Sequence, residues 1–206
     1  MPKISTNLAS IVLCLPLLFF SMTARSAVVS TSAGSVTILK NNIQSTGAEN
    51  LGGVLPTGTI LTTGGDGKVL VEVAPGITIE LQPETQITIG ETIPDRGQDA
   101  GGNPIPETYV TLAVGSITCD TSGAATGEGG AMTTSLVVMT PRGTVSPASA
   151  GSMVISSTHA DPRLSTVTVA ARSGDKMVNT TGDQQVIIPE GLVGVFRPDG
   201  FDLDSI

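Results

Sequence analysis

A chain of 206 residues with a formal charge of −8 is repelled by nucleic acid and by anionic membrane, so neither is an expected partner. With one His and two Cys it cannot assemble a zinc site of the usual nitrogen and sulfur type, and with no Trp, one Tyr and four Phe its core must be built from Val, Ile, Leu and Ala. The length suits one medium domain, and 25 Gly with 13 Pro supply the turns that many short strands require.

The N-terminal stretch reads as a secretory signal peptide. Lys3 precedes the apolar run Ile11-Val-Leu-Cys-Leu-Pro-Leu-Leu-Phe-Phe20, and Ala24-Arg-Ser-Ala27 offers small residues at a cleavage site. The run is too short to span a membrane. Cys14 lies inside it after Leu13, which does not make a lipobox. The expected division is a signal peptide over 1–26 and one exported domain over 27–206, periplasmic or extracellular. Cleavage removes Lys3, Arg25 and Cys14, which leaves a net charge of −10 and Cys119 as the single thiol, so no internal disulfide is expected.

Gly64-Gly-Asp-Gly-Lys68 poses the first chemical question, because a glycine-rich run before Lys can cradle a phosphate. A phosphate loop needs a second glycine five residues before Gly67, a Ser or Thr after the Lys, and a helix. Here Thr62 and Val69 hold those positions and strand-like alternation follows, so the run is a corner between strands. Val69, Val71 and Val73, then Ile77, Ile79 and Leu81, alternate with polar residues, as strands with one buried and one wet face do. Pro75-Gly76 and Pro83-Glu84 punctuate them.

Residues 93–107 and 120–134 break this rhythm and are expected to be long loops, either mobile insertions or binding loops. Between them Val110, Leu112 and Val114 alternate again, and Cys119 ends an apolar run as a small buried residue. Leu136-Val-Val-Met139, Val186-Ile-Ile188 and Leu192-Val-Gly-Val-Phe196 are expected to be central strands, covered on both sides. Strand starts near 68, 77 and 86 suit a meander, a sandwich or a short solenoid. The fold class is therefore all-β, a single domain of many short strands arranged as a two-sheet sandwich or a short β-solenoid.

Catalytic candidates are few. His159 sits in Ser156-Ser-Thr-His-Ala-Asp-Pro162, a polar hairpin loop, and a triad would need it with Asp161 or a remote acid. No Gly-x-Ser-x-Gly elbow supports one. Asp199, Asp202 and Asp204 lack the order of a calcium loop and its bidentate Glu, and read as a solvated acidic tail. Asn179-Thr-Thr181 forms a sequon of a kind common by chance. No catalytic, cofactor-binding or metal-binding residue is assigned, no cofactor is expected, and the chain is not expected to be an enzyme.

Taken in order, these segments resemble the FecR domain family. Gly34-Ser-Val-Thr-Ile38 resembles that family's opening strand, and Leu55-Pro-Thr-Gly-Thr-Ile-Leu-Thr-Thr-Gly64 its "G-x-x-L-x-T-G" step. Lys68 to Ile87 resembles the paired strands around "d-G", Val110-Thr-Leu-Ala-Val-Gly-Ser-Ile117 the "v-x-L-x-x-G-x-i" run, and Val138-Met-Thr-Pro141 the "v-x-T-P" step. Ala150-Gly-Ser-Met-Val-Ile155 matches "r-G-T-x-f-x-v" with Ser152 for Thr and Met153 for Phe, and segments 167–178 and 186–191 resemble the closing strands. The similarity covers roughly 34–198.

Well-known members are inner-membrane regulators whose periplasmic FecR domain relays the signal of an iron-siderophore receptor to a cytoplasmic sigma factor. That relay uses a cytoplasmic segment and a membrane span ahead of the domain, neither of which is expected here. The resemblance implies a stand-alone, non-catalytic module that binds a protein or an envelope glycan, in cell-envelope sensing or signalling. The alternative is a structural or adhesive cell-surface component that associates through exposed strand edges.

Overall fold

The computed structural model describes residues 27–98, 101–124, 132–181 and 184–205. The signal peptide assigned to residues 1–26 lies outside the described residues. Among these, the first strands are β1 (Ala27–Ala33), β2 (Val36–Lys40), β3 (Ile43–Thr46), β4 (Val54–Leu55), β5 (Ile60–Thr63), β6 (Lys68–Ala74), β7 (Ile77–Leu81), β8 (Gln86–Gln98) and β9 (Pro104–Asp120). There follow β10 (Ser135–Thr140), β11 (Gly143–Pro147), β12 (Ser152–Ser157), β13 (Val167–Ala171), β14 (Lys176–Thr180), β15 (Gln185–Ile188), β16 (Leu192–Arg197) and β17 (Gly200–Ser205). Two short 3-10 turns, Ala48–Asn50 and Ser122–Ala124, complete the regular structure, so the fold is all-β. No helix among the described residues is long and apolar enough to cross a membrane.

Pairing sorts the strands into two layers. One runs β4-β1-β6-β7-β9-β12-β13-β16-β17. The other runs β3-β2-β5-β8-β9-β10-β11-β14-β15. Every pair is antiparallel except β9 with β10. The alternation read in the sequence puts Val69, Val71, Val73, Ile77, Ile79 and Leu81 from the first layer against Ile38, Leu61, Ile87, Val110 and Leu112 from the second, in one core. This is a two-sheet sandwich.

The long strand β9 belongs to both layers. Its residues up to Val114 pair with β8, and from Gly115 onward it pairs with β12. Gly115 has φ +96°, and a Cβ there would lie 2.4 Å from Thr85 Cα. Only glycine lets the strand cross between layers so close to the neighbouring chain. From β10 on, hairpins are laid down alternately: β10–β11 in the second layer, β12–β13 in the first, β14–β15 in the second and β16–β17 in the first. Each widens its own sheet by two strands.

Two sequence expectations change, and a third falls partly outside the described residues. The stretch 93–107 is largely a hairpin arm, since Thr92 pairs with Thr108, Ile93 with Glu107, Gly97 with Ile105 and Gln98 with Pro104. The register shifts between Ile93 and Gly97, so Pro94 and the left-handed Asp95 (φ +56°) fall in the bulge and not in the ladder. Across the arm Thr92 Oγ1 meets Thr108 Oγ1 at 3.0 Å, and Arg96 Nε lies 3.6 Å from Glu107. The stretch 120–134 is described only at its ends, residues 125–131 lying outside the described residues; there Thr133 N donates to Ala124 O at 2.9 Å. Finally, Val186-Ile-Ile188 is not a central strand, because among the described residues β15 pairs only with β14 and leaves Ile187 55% exposed.

The lateral ends of the sandwich differ. Beside β3 and β4, residues 47–53 cross from one layer to the other and cover the outer edge of β1, with Gly52 N donating to Val29 O at 2.8 Å. Thr46 and Glu49 form a reciprocal cap there, Thr46 N donating to Glu49 Oε2 at 2.7 Å and Glu49 N to Thr46 Oγ1 at 3.4 Å. The Thr46 backbone and hydroxyl hold the Glu49 carboxyl below its usual range. Asn50, buried, donates to Ser45 Oγ and to Thr46 O. At the opposite end β15 and β17 each have one strand partner among the described residues.

Candidate functional site

The residues singled out in sequence resolve into local structure. In the Gly64–Lys68 corner, Gly64 N donates to Ser35 O, Gly67 N to Gly64 O, and Asp66 Oδ1 accepts Ser35 N. These backbone donors turn to the protein itself, and Lys68 reaches Glu80 at 3.9 Å across the sheet surface. His159 is exposed, and its Nδ1 accepts the Asp161 N–H at 3.0 Å. The Asp161 carboxylate accepts Arg163 N, while Ser157 Oγ meets Ser165 Oγ at 3.0 Å and donates to the His159 carbonyl at 3.2 Å. A triad needs its acid on the Nδ1 proton and its hydroxyl at Nε2, and these contacts occupy the groups otherwise.

Asp202 pairs with Arg197, and Asp202 and Asp204 alternate with Phe201 and Leu203 along β17. No three metal-ligating side chains come together among the described residues. Cys119 is fully buried on β9, and burial pushes its thiol up to about 12 against a weaker pull from the Lys176 charge. A thiol so held is not a nucleophile at neutral pH.

Lys176 is the feature that sequence reading missed. It is fully buried, and its Nζ donates to the carbonyls of Ser173 at 2.7 Å, Asp175 at 3.3 Å and Ser149 at 3.5 Å. Burial holds the ammonium below the usual lysine range, opposed by the charges of Asp175 and Glu190. Further bonds tie the same turns: Asp175 N to Ser149 Oγ, Gly174 N to Glu190 Oε2, and Glu190 N to Asp175 Oδ1. The signal was present, since Lys176 is in phase with inward Val178, but its neighbours Ser173-Gly-Asp175 read as a polar turn.

At the other pole of these strands lies a cleft of about 300 Å³. The turn after β10 contributes Arg142, the turn after β14 contributes Thr180, Thr181 and Gln184, and the β16–β17 hairpin contributes Phe196 through Phe201. Thr181 N donates to Arg142 O and Thr180 N to Gln184 O, which fixes the rim, and Arg142 Nη1 donates to Pro162 O at 3.0 Å, which brings the His159 loop alongside. Phe196 and Phe201 stack with centroids 4.7 Å apart. The cleft offers guanidinium, carboxylate, hydroxyl and amide groups over an aromatic floor, and among the described residues no His or Cys lines it. A concave surface of this mixed polar and aromatic kind is suited to orienting a ligand.

No family model matches the sequence, and a search of curated proteins gives no match. Among solved structures, one from Parabacteroides distasonis at 2.50 Å resolution, provisionally assigned as an anti-sigma factor, aligns with a TM-score of 0.50 at 12% identity. The alignment covers 70% of this chain and 57% of that one. A second, at 1.65 Å with the same provisional assignment from the same organism, gives 0.49 at 11% identity, again covering 70% of this chain and 57% of that one. The likeness is one of fold. The chain spans little more than half the length of the structures it matches, at 57%.

Proposed function

We propose that the chain is an exported, non-catalytic, FecR-like module that binds another protein in cell-envelope sensing or signalling. The observation that carries this reading is the uncovered end of the sandwich, where β15 and β17 lie beside the polar cleft and leave Ile187 55% and Leu203 46% exposed. Exposed apolar side chains rimmed by polar groups mark contact surfaces. The fold shared with a provisionally assigned anti-sigma factor, and the sequence's resemblance to FecR domains, both favour a regulatory role.

The test is photo-crosslinking in intact cells from an aryl-azide residue placed at Thr181 or Leu203, with Thr78 on the outer sheet face as control. A discrete adduct from the first two positions and none from Thr78 is expected. Adducts absent from Thr181 and Leu203 would overturn the reading, and an adduct with glycan only would move the partner to the envelope polymer.

A second reading, a structural or adhesive component, draws on the distribution of exposed apolar residues. Ile43, Leu51 and Val54 lie at one lateral end and Ile187 and Leu203 at the other, which suits end-to-end stacking of copies. Concentration-dependent growth of filaments in sedimentation would select it.

A further inference from the structure

We infer that the free edge of β17 is an acceptor for one strand of a partner protein, in which apolar residues alternate with Lys or Arg. This rests on the reading of the chain as a protein-binding module. β17 pairs with β16 over six residues, from Arg197 opposite Gly200 to Leu192 opposite Ser205, and no strand pairs with its other side among the described residues. A row of backbone donors and acceptors therefore faces solvent, ready to extend the sheet.

Side chains on β17 specify what would pair there. Phe201 stands opposite buried Phe196 and packs against the core, so the strand's alternation puts Leu203, opposite Gly194, on the same inward face. Asp202 and Asp204 stand opposite Val195 and Val193 on the outward face. An incoming strand thus meets an apolar row on one face and, on the other, the Asp204 carboxylate beside Asp202, which Arg197 already pairs. Opposite charges across a strand pair stabilise it, and like charges destabilise it.

The same rule argues against a second copy of this chain. Two β17 strands side by side would set aspartates against aspartates. At the other end of the sandwich, β3 is Ile43-Gln-Ser-Thr46 and β4 is Val54-Leu55, neither with a basic residue, the neighbouring Lys40 already donates to Val54 O at 3.2 Å, and residues 47–53 cover β1. Self-pairing therefore brings no cation to Asp202 or Asp204.

The test uses the full chain and labelled eight-residue peptides: one alternating Lys and Val, one alternating Glu and Val, and one with the Lys and Val content reordered into blocks. Fluorescence anisotropy reads binding, and hydrogen exchange reads the amides of 200–205. The Lys/Val peptide is expected to bind and to protect those amides, while the Glu/Val and block peptides do neither. Asp204→Lys should weaken the Lys/Val peptide about fivefold, in line with the loss of one cross-strand charge pair. Unprotected 200–205 amides, equal binding of the block peptide, an unchanged affinity in Asp204→Lys, or a dimer that the peptide does not dissociate would overturn the inference. If adducts form from Thr181 while the peptide leaves β17 unprotected, the binding-module reading stands and the strand acceptor alone fails.

Discussion

Replacing Lys176 by Met keeps most of the aliphatic volume and removes the single charged side chain that is fully buried among the described residues. The carbonyls of Ser173 and Ser149 lose the ammonium as donor, while Asp175 O keeps the Ala148 N–H at 2.9 Å. Two carbonyls left short of a donor, one on half-buried Ser173 and one on exposed Ser149, cost at most about 1–3 kcal/mol each. Relief of the ammonium's desolvation offsets part of this, since burying an ion costs several kcal/mol before its contacts are counted. The expected net loss is about 1–3 kcal/mol, which for a chain of this size lowers the midpoint of thermal unfolding by roughly 2–12 °C. Urea unfolding measures the first and calorimetry the second, and hydrogen exchange should accelerate at 148–152 and 173–175, the turns that the ammonium joins.

The pH dependence supplies an independent check. Because burial holds Lys176 below its ordinary value of 10.5, the unfolded chain keeps this proton to higher pH than the folded one. Stability that depends on this group therefore rises between the lowered value and 10.5, and wild type should gain on the Met variant across that window. A Met variant within about 0.5 kcal/mol of wild type, with unchanged exchange in the three turns, would refute the cage as a source of stability.

Two further substitutions probe the interior. Gly115→Ala places a Cβ 2.4 Å from Thr85 Oγ1 in a backbone of φ +96°, and should cost about 2–4 kcal/mol in urea unfolding; a variant as stable as wild type would show that β9 needs no glycine to change layers. Cys119 should resist thiol reagents in the native state and react once unfolded. With its value raised from 9.0 to about 12, its contribution is fully present below 9.0 and lost as pH rises to about 12, at most about 4 kcal/mol. Cys119→Ala should remove that decline, and a decline of equal size in the variant would assign it elsewhere.

Local alternation made most strands legible. Ile77, Ile79 and Leu81 announce an inward face that the core then confirms residue by residue. Turn chemistry made the Gly64–Lys68 corner legible as well. What local pattern does not contain is the identity of a strand's neighbours, so the apolar run Val186-Ile-Ile188 looked central and lies at an edge. The arm at 93–107 was hidden because a bulge absorbs Pro94 and Asp95, leaving a polar, proline-broken stretch whose pairing is set across the hairpin and not along the chain. The crossing at Gly115 was hidden for the same reason, since Val110 to Ile117 reads as one strand although it serves two sheets. The candidate site was the least legible part, because its rim comes from turns after β10, β14 and β16 that only the alternating hairpins bring together.

That alternation also explains why the two ends of the sandwich are unlike. Each hairpin added after β9 covers the inward apolar row of the hairpin before it in the same layer, so β13 is covered by β16 and β11 by β14. At the β3–β4 end the crossing of residues 47–53 closes the β1 edge and brings its own polar closure through Glu49 and Asn50, while Ile43, Leu51 and Val54 stay exposed. At the β15–β17 end the inward positions are still apolar, with Leu203 46% exposed, although water alone would satisfy the backbone edge and a polar residue there would serve solubility. Leaving about half of a leucine side chain in water forgoes roughly 1 kcal/mol of burial. An added strand would bury Leu203 and satisfy the edge in one step, with Asp204 selecting which strand is added.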